Sequence, residues 1–184
     1  MYSDFRVTLP SVVSVAVQAN LVLLAQGTEL IGRLGQEIYV GRYKACFNSS
    51  MGGHFRHVVE HYQGLLGALE TGDVDYEKRA RDEMIETDPA YALQVVKEIE
   101  GGLKALSAEA APDRTLRMAA ETVADHMLVT SLGRELEFLI SHTVHHYALI
   151  AVIAGHHGVA LPDNFGMAPS TLKYLRTTKA ACAR

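Results

Sequence analysis

Apolar residues recur at steps of three and four along four stretches of this chain, the spacing that gives an α-helix one buried face. Val13, Val17, Leu21, Leu24 and Ile31 mark the first stretch. Ser11 stands where an N-cap belongs, so a helix is expected from there to about Leu34, with Gly35 as its stop. Residues 35–49 read as a connecting loop. Met51, Phe55, Val58, Tyr62, Leu65 and Leu69 form a second stripe, from about Ser50 to Thr71-Gly72. The run that follows, DVDYEKRARDEMIETDP, is charged and aperiodic, and reads as a loop or a short surface helix. Asp88-Pro89 then supplies a cap and a first-turn proline. Ala92, Val95, Val96, Ile99, Leu103 and Leu106 line the third helix, whose last turns Gly101-Gly102 weaken.

Residues 112–131 change character. Thr115, Leu116 and Met118, then Met127 to Thr130, flank the polar Asp125-His126 as in a small β-hairpin. A fourth helix is expected from about Leu132 to His156, apolar almost all round after Ser141 and therefore buried on most sides. Gly158 and Pro162 end it, and Ser170 is a candidate cap for one short final helix. No repeat or linker divides the chain. The expected fold is all-α, a four-helix bundle over residues 1–184 with a small β-hairpin before the fourth helix.

Composition narrows the function more than the fold. Hydrophobic residues are 48% and charged residues 21% of 184, with net charge −4 and no run of Lys or Arg, which disfavours a nucleic-acid partner. Val12 to Ala25 is apolar but is interrupted by Gln18 and Asn20 and bounded by Gln26, with no basic segment before it. It reads as a buried helix and not as a signal peptide, and Tyr147 to Gly155 is too short to span a bilayer. Cys46 and Cys182 lie far apart and outside any CxxC, as two free thiols of a reducing compartment do. A cytoplasmic protein with no membrane partner is the expectation.

The candidate chemistry lies in nine histidines, eight of them in two helical segments. SMGGHFRHVVEHY carries His54, His57 and His61; SHTVHHYALIAVIAGHHG carries His142, His145, His146, His156 and His157. His142 and His146 are one helical turn apart on one face, as two imidazoles on one metal ion must be. His54, His57 and His61 share one side of the second helix at the edge of its apolar stripe, and any of them is a candidate third ligand. Two ligands from one helix and one from another leave coordination positions open, the catalytic and not the structural pattern. The plain alternative is a set of surface or hydrogen-bonded histidines. His156 and His157 suit a helix C-terminus, and His126 a turn. Ser49-Ser50 reads as a cap before it reads as a nucleophile. There are no paired Glu-x-x-His motifs, no His-Glu-x-x-His, no phosphate-binding glycine loop and no Gly-x-Ser-x-Gly.

These residues resemble the DinB/YfiT-like superfamily of metal-dependent enzymes. Ser50-Met51 at the start of the second helix, His57 with Glu60 three positions on, and SHTVHHYALI in the fourth helix match that family's motif in order, over about residues 8–160. SLGRELEFLISHTVHHYALI and DNFGMAPST look like one branch of unassigned activity. Where the family usually has Arg-Gly-Gln after the last histidine, this chain has Tyr147-Ala148-Leu149. The resemblance implies a divalent metal, zinc or nickel, held by His57, His142 and His146. Three imidazoles suit zinc, nickel, copper and iron alike, so the ligands do not select the ion.

The resemblance further implies a thiol-dependent transferase or a hydrolase acting on a small-molecule substrate, with a low-molecular-weight thiol as co-substrate. Family members often form homodimers. A non-catalytic metal-containing binding or stress-response protein is the alternative from another class. Tyr76, Arg79 and Arg81 read first as part of a solvated loop, and second as the makings of an anionic-substrate pocket. At an imidazole's ordinary pKa of about 6.5, metal affinity should fall below about pH 6.

Overall fold

Ser11 accepts a hydrogen bond from the Ser14 amide and opens α1 (Val12–Ile31) in the computed structural model, which describes residues 11–108 and 112–182. The same device recurs. Ser50 caps α3 (Met51–Thr71) by accepting from the Gly53 amide at 2.9 Å. Asp88 accepts from the amides of Ala90 and Tyr91 at the start of α5 (Pro89–Ala108). Ser131 caps α6 (Leu132–His156) through the Arg134 amide. Gly72 ends α3 at φ 82°, in the left-handed region that a Cβ disfavours, while its amide returns to the Ala68 carbonyl.

The four long helices pack in pairs: α1 lies against α5 and α6, and α3 against the same two. Their apolar stripes meet in one core, with Val17 and Leu24, Phe55 and Leu65, Val96 and Leu103, and Leu136 and Ile150 all buried. A polar thread runs through it. Asn20 donates to the carbonyls of Ala16 and Leu136, and Tyr62 donates to Asn20 Oδ1 at 2.7 Å while lying 3.1 Å from Thr143 Oγ1. Every polar group in this thread has a partner, so it fixes the register of α1, α3 and α6 without an unpaired buried group. By length and composition α1 and α6 are apolar enough to cross a membrane, and both contribute to this core.

The chain is thus mostly helical, with a small three-stranded sheet. The expected hairpin is present as β2 (Thr115–Ala119) antiparallel to β3 (Met127–Ser131), and His126 lies exposed in the turn between them. A further strand, β1 (Asp73–Val74), pairs in parallel with β2, in a segment expected to be loop or helix. A five-residue helix, α2 (Gln36–Val40), lies inside the expected loop 35–49, and α4 (Glu83–Thr87) is a short helix in the charged run read as loop or short surface helix, though its Ile85 is buried. Gly35 is the N-cap of α2 and not the stop of α1, which ends at Gly32. Likewise α7 (Pro169–Cys182) begins with Pro169 in its first turn, so Ser170 lies inside the helix and does not cap it. Cys46 is a buried free thiol; the Cys182 side chain and residues 1–10, 109–111 and 183–184 lie outside the described residues.

Gly52 sets how closely α3 approaches α4. A Cβ at this position would fall 2.0 Å from the Glu86 carbonyl oxygen and 2.7 Å from Tyr39 Cε1. Backbone cannot yield as a side chain does, so Gly52→Ala should force the two elements apart. We expect a loss of about 1–3 kcal/mol despite alanine's better helix propensity. Urea unfolding monitored by circular dichroism would measure it. A variant as stable as wild type would show that α3 and α4 are not in such close contact.

Candidate metal centre

Helix geometry gathers the histidines in one place. On α3, His54, His57 and His61 follow at intervals of three and four and turn one flank toward α6. On α6, His142 and His146 face back across the gap. The rings of the expected set lie close together: centroids are 4.9 Å apart for His57 and His142, 4.5 Å for His57 and His146, and 4.7 Å for His142 and His146. His61 is as close, 4.5 Å from His57 and 4.0 Å from His142. One nitrogen each from His57, His61 and His142 falls within 4.8 Å of the others. His54 joins through a 3.1 Å approach of its Nδ1 to Nδ1 of His146. Five imidazoles therefore share one cleft between α3 and α6.

The other histidines stand apart. The exposed His145 meets His146 edge-on at 5.1 Å. His156 closes the last turn of α6 with its ring against Tyr43, and His157 is the cap residue.

Aromatic side chains wall the cleft. Tyr76 stacks on His61 at 5.1 Å, and Phe138 lies 5.4 Å from His142. The wall belongs to a strap, residues 75–82, that crosses the histidines between β1 and α4 and is tied at both ends. At one end the Tyr76 hydroxyl donates to Oε2 of Glu135, a fully buried carboxylate whose Oε1 also accepts from Thr130 and Arg134. At the other, the Asp82 amide donates to Oε1 of buried Glu60 at 2.8 Å, and Tyr91 donates to the Asp82 carboxylate. Glu60 follows His57 by three residues; in this structure it holds the strap in place. Mid-strap, Arg79 turns inward and its Nη1 donates to Nδ1 of His57.

Burial decides the charge of the cluster. It holds His57 down to about 3, with His146, His61, Arg79 and His54 adding repulsion. His142 falls to about 2 by burial and then by His61, His146 and His57. His146 falls to about 3 by burial and then by His54 and His145. His54 is lowered by burial and His145. His61 is lowered by burial, against an opposing hydrogen bond to the His57 carbonyl. His57, His142 and His146 are thus neutral well below the ordinary histidine range, and His54 and His61 shift the same way; the neutral form is the one that binds metal.

The nitrogens also suit a cation. A carbonyl only accepts, so the 2.7 Å contact between His61 Nδ1 and the His57 oxygen puts the proton on Nδ1 and leaves the Nε2 lone pair free. Nε2 of His142 is buried and has no hydrogen-bond partner among the described residues, and the same holds for Nε2 of His54. Buried nitrogens without a partner are costly, and a metal ion would satisfy them. A cluster of three histidines here could hold a metal ion.

A cleft of about 510 Å³ opens one turn earlier on α3, between Arg42, Arg56 and Glu86, and the histidines do not line it. Its charges are paired with each other, Arg56 to Glu86 at 3.3 Å and Arg42 to Glu86 at 3.7 Å.

No family model matches the chain, and no solved structure does. A curated protein described as FK506-binding protein 5, from Rhizopus delemar, is 32% identical to it over 107 residues. That segment is 56% of this chain and 28% of the relative, so the chain spans less than a third of the curated relative's length.

Proposed function

We propose that this chain is a DinB/YfiT-like four-helix bundle, formed by α1, α3, α5 and α6, that works as a metal-dependent enzyme. Zinc or nickel is the proposed ion, with His57 and His142 as ligands and His146, in the family register, or His61 as the third. The observation that carries this reading is the convergence of neutral imidazoles from α3 and α6, with Nε2 of His142 buried and unpaired. Three imidazoles would hold a divalent ion with coordination positions open, and the ion would supply acidification of a thiol or water near neutral pH.

The chain's own residues do the rest. His61 is locked in one tautomer by the His57 carbonyl. Tyr76 and Phe138 keep water off the histidines, and Glu60 and Glu135 hold the strap that carries Tyr76. The proposed reaction is a thiol-dependent transfer or a hydrolysis of a small molecule.

Cobalt substitution tests the metal and the open position together. The protein loaded with Co(II) should show d–d bands of a low-coordinate site. Adding a low-molecular-weight thiol such as glutathione or cysteine should add a thiolate-to-cobalt band in the near ultraviolet. Cobalt binding without any response to thiols would favour hydrolysis or the non-catalytic metal-binding protein. No cobalt uptake would sink the reading.

A further inference from the structure

We infer that Arg79 is a carboxylate anchor held in reserve: it is bound to His57 while the protein is metal-free, and freed to take a carboxylate of the substrate once His57 becomes a ligand. The inference rests on the metal reading above and assigns that site a substrate class.

Hydrogen-bond chemistry supplies the exclusion. Guanidinium only donates, so Nδ1 of His57 must be the acceptor in the contact with Arg79, and the ring's proton then sits on Nε2. In that state neither nitrogen of His57 is open to a metal ion. Nδ1 is engaged and Nε2 is protonated. Ligation through either nitrogen requires Arg79 to let go, since using Nε2 means moving the proton to Nδ1, which can then no longer accept. The arginine and a metal ion therefore compete for one imidazole.

The released guanidinium would have little within the protein to satisfy it. Its present partner is a neutral ring, and its Nε is buried with no hydrogen-bond partner among the described residues. Glu60, the acid whose charge acts most on Arg79, makes no ion pair with it among the described residues and accepts from the Asp82 amide through Oε1. Arg56 and Arg81 add positive charge nearby. A cation poorly paired by the protein, on a strap tied at Tyr76 and Asp82, calls for an anion from outside. A planar fork of N–H donors matches a carboxylate in two parallel hydrogen bonds. The anion would then lie beside the ligand histidines, as a substrate must.

The test uses the full chain, zinc and succinate, with inorganic phosphate as the second anion. Zinc affinity is measured by competition with a chromophoric chelator, and anion binding by calorimetry on metal-free and zinc-loaded protein. Arg79→Gln should bind zinc several-fold more tightly than wild type, because the competitor is gone. Succinate should bind zinc-loaded wild type at least tenfold more tightly than zinc-loaded R79Q, and R79K should fall between them. Succinate held directly by zinc would survive in R79Q, so equal succinate affinity in wild type and R79Q overturns the inference while leaving the metal site standing. Zinc affinity unchanged in R79Q overturns the competition at His57. Phosphate bound more tightly than succinate overturns the carboxylate assignment. Wild-type protein that takes up no zinc overturns the metal reading, and this inference with it.

Discussion

His142→Ala is expected to lower zinc affinity by at least about a hundredfold, since loss of an outer-shell partner alone costs about 10–100-fold and a direct ligand more. His57→Ala should match it. These two histidines belong both to the set expected from the sequence and to the three whose nitrogens lie within 4.8 Å of one another. The third ligand separates the alternatives. If His146 completes the site, His146→Ala should be as damaging and His61→Ala mild; if His61 does, the order reverses. His54→Ala should retain most of the metal, because His54 reaches the cluster only through His146. Because α3 and α6 would be tied by the ion, zinc at about 100 times its Kd should add about 2.7 kcal/mol, or about 5–10 °C in Tm. The apolar core is continuous across the four helices without an ion, so the metal-free protein should still melt cooperatively. Loss of zinc on His54→Ala with retention on His57→Ala would refute the assignment. A metal-free protein with no cooperative transition would make the ion a structural one.

The second large effect concerns acid. In the unfolded chain each histidine titrates near 6.5, whereas burial holds His57 and His146 to about 3 and His142 to about 2 in the fold. The sign follows from proton counts. Below about pH 6.5 the unfolded state binds protons that the native state does not, so unfolding is favoured as pH falls. The stabilising contribution of neutral rings is present above 6.5 and is lost progressively down to about 3, where the native cluster itself titrates. Each fully contributing ring tilts stability by about 1.4 kcal/mol per pH unit, less where solvent screens the half-exposed rings. Metal-free protein should therefore lose Tm steeply between pH 6.5 and 4. His142→Asn should flatten that slope by close to one proton's worth. A Tm that does not move between pH 7 and 5 would mean that the rings are solvated and ordinary.

The same lowering revises the expectation that metal affinity falls below about pH 6. Protons compete weakly for rings that are already neutral. As long as the fold persists, zinc loss should begin at a lower pH than free imidazoles would set.

What was legible in the sequence follows from range. Residues that act through local spacing could be read: the stripe from Met51 to Leu69, the caps Ser11, Ser50 and Asp88, the pair His142 and His146, and a hairpin rich in Thr, Val and Met. What depends on distant partners could not. Strand β1 has two residues and exists because β2, more than forty positions later, offers it an edge. The five-residue helices α2 and α4 are shorter than two turns, so no period can declare them. In the sequence Glu60 stood out only as the motif partner of His57 and Glu135 not at all, and only the tertiary fold shows them buried and holding Asp82 and Tyr76. Spacing alone left His54, His57 and His61 equivalent, and the fold brings all three into the cluster. Tyr76 and Arg79 lay in a run with no pattern and were read first as solvated loop, whereas one packs on His61 and the other donates to His57.

The parallel pairing of β1 with β2 reaches beyond the sheet. Asp73 sits opposite Arg117, and their side chains form two hydrogen bonds of 2.8 and 2.6 Å. Two residues after Asp73 the strap begins. The hairpin and the strap should therefore open as one cooperative unit, with amide hydrogen exchange at Val74, Tyr76 and Met118 sharing one rate. Drift in the exposed Arg117 or its neighbours would alter how often that unit opens, and so how often solvent reaches the histidines, with every residue of α3 and α6 unchanged. The surface hairpin thus gives evolution a dial on access to the histidine cluster that is separate from the histidines themselves.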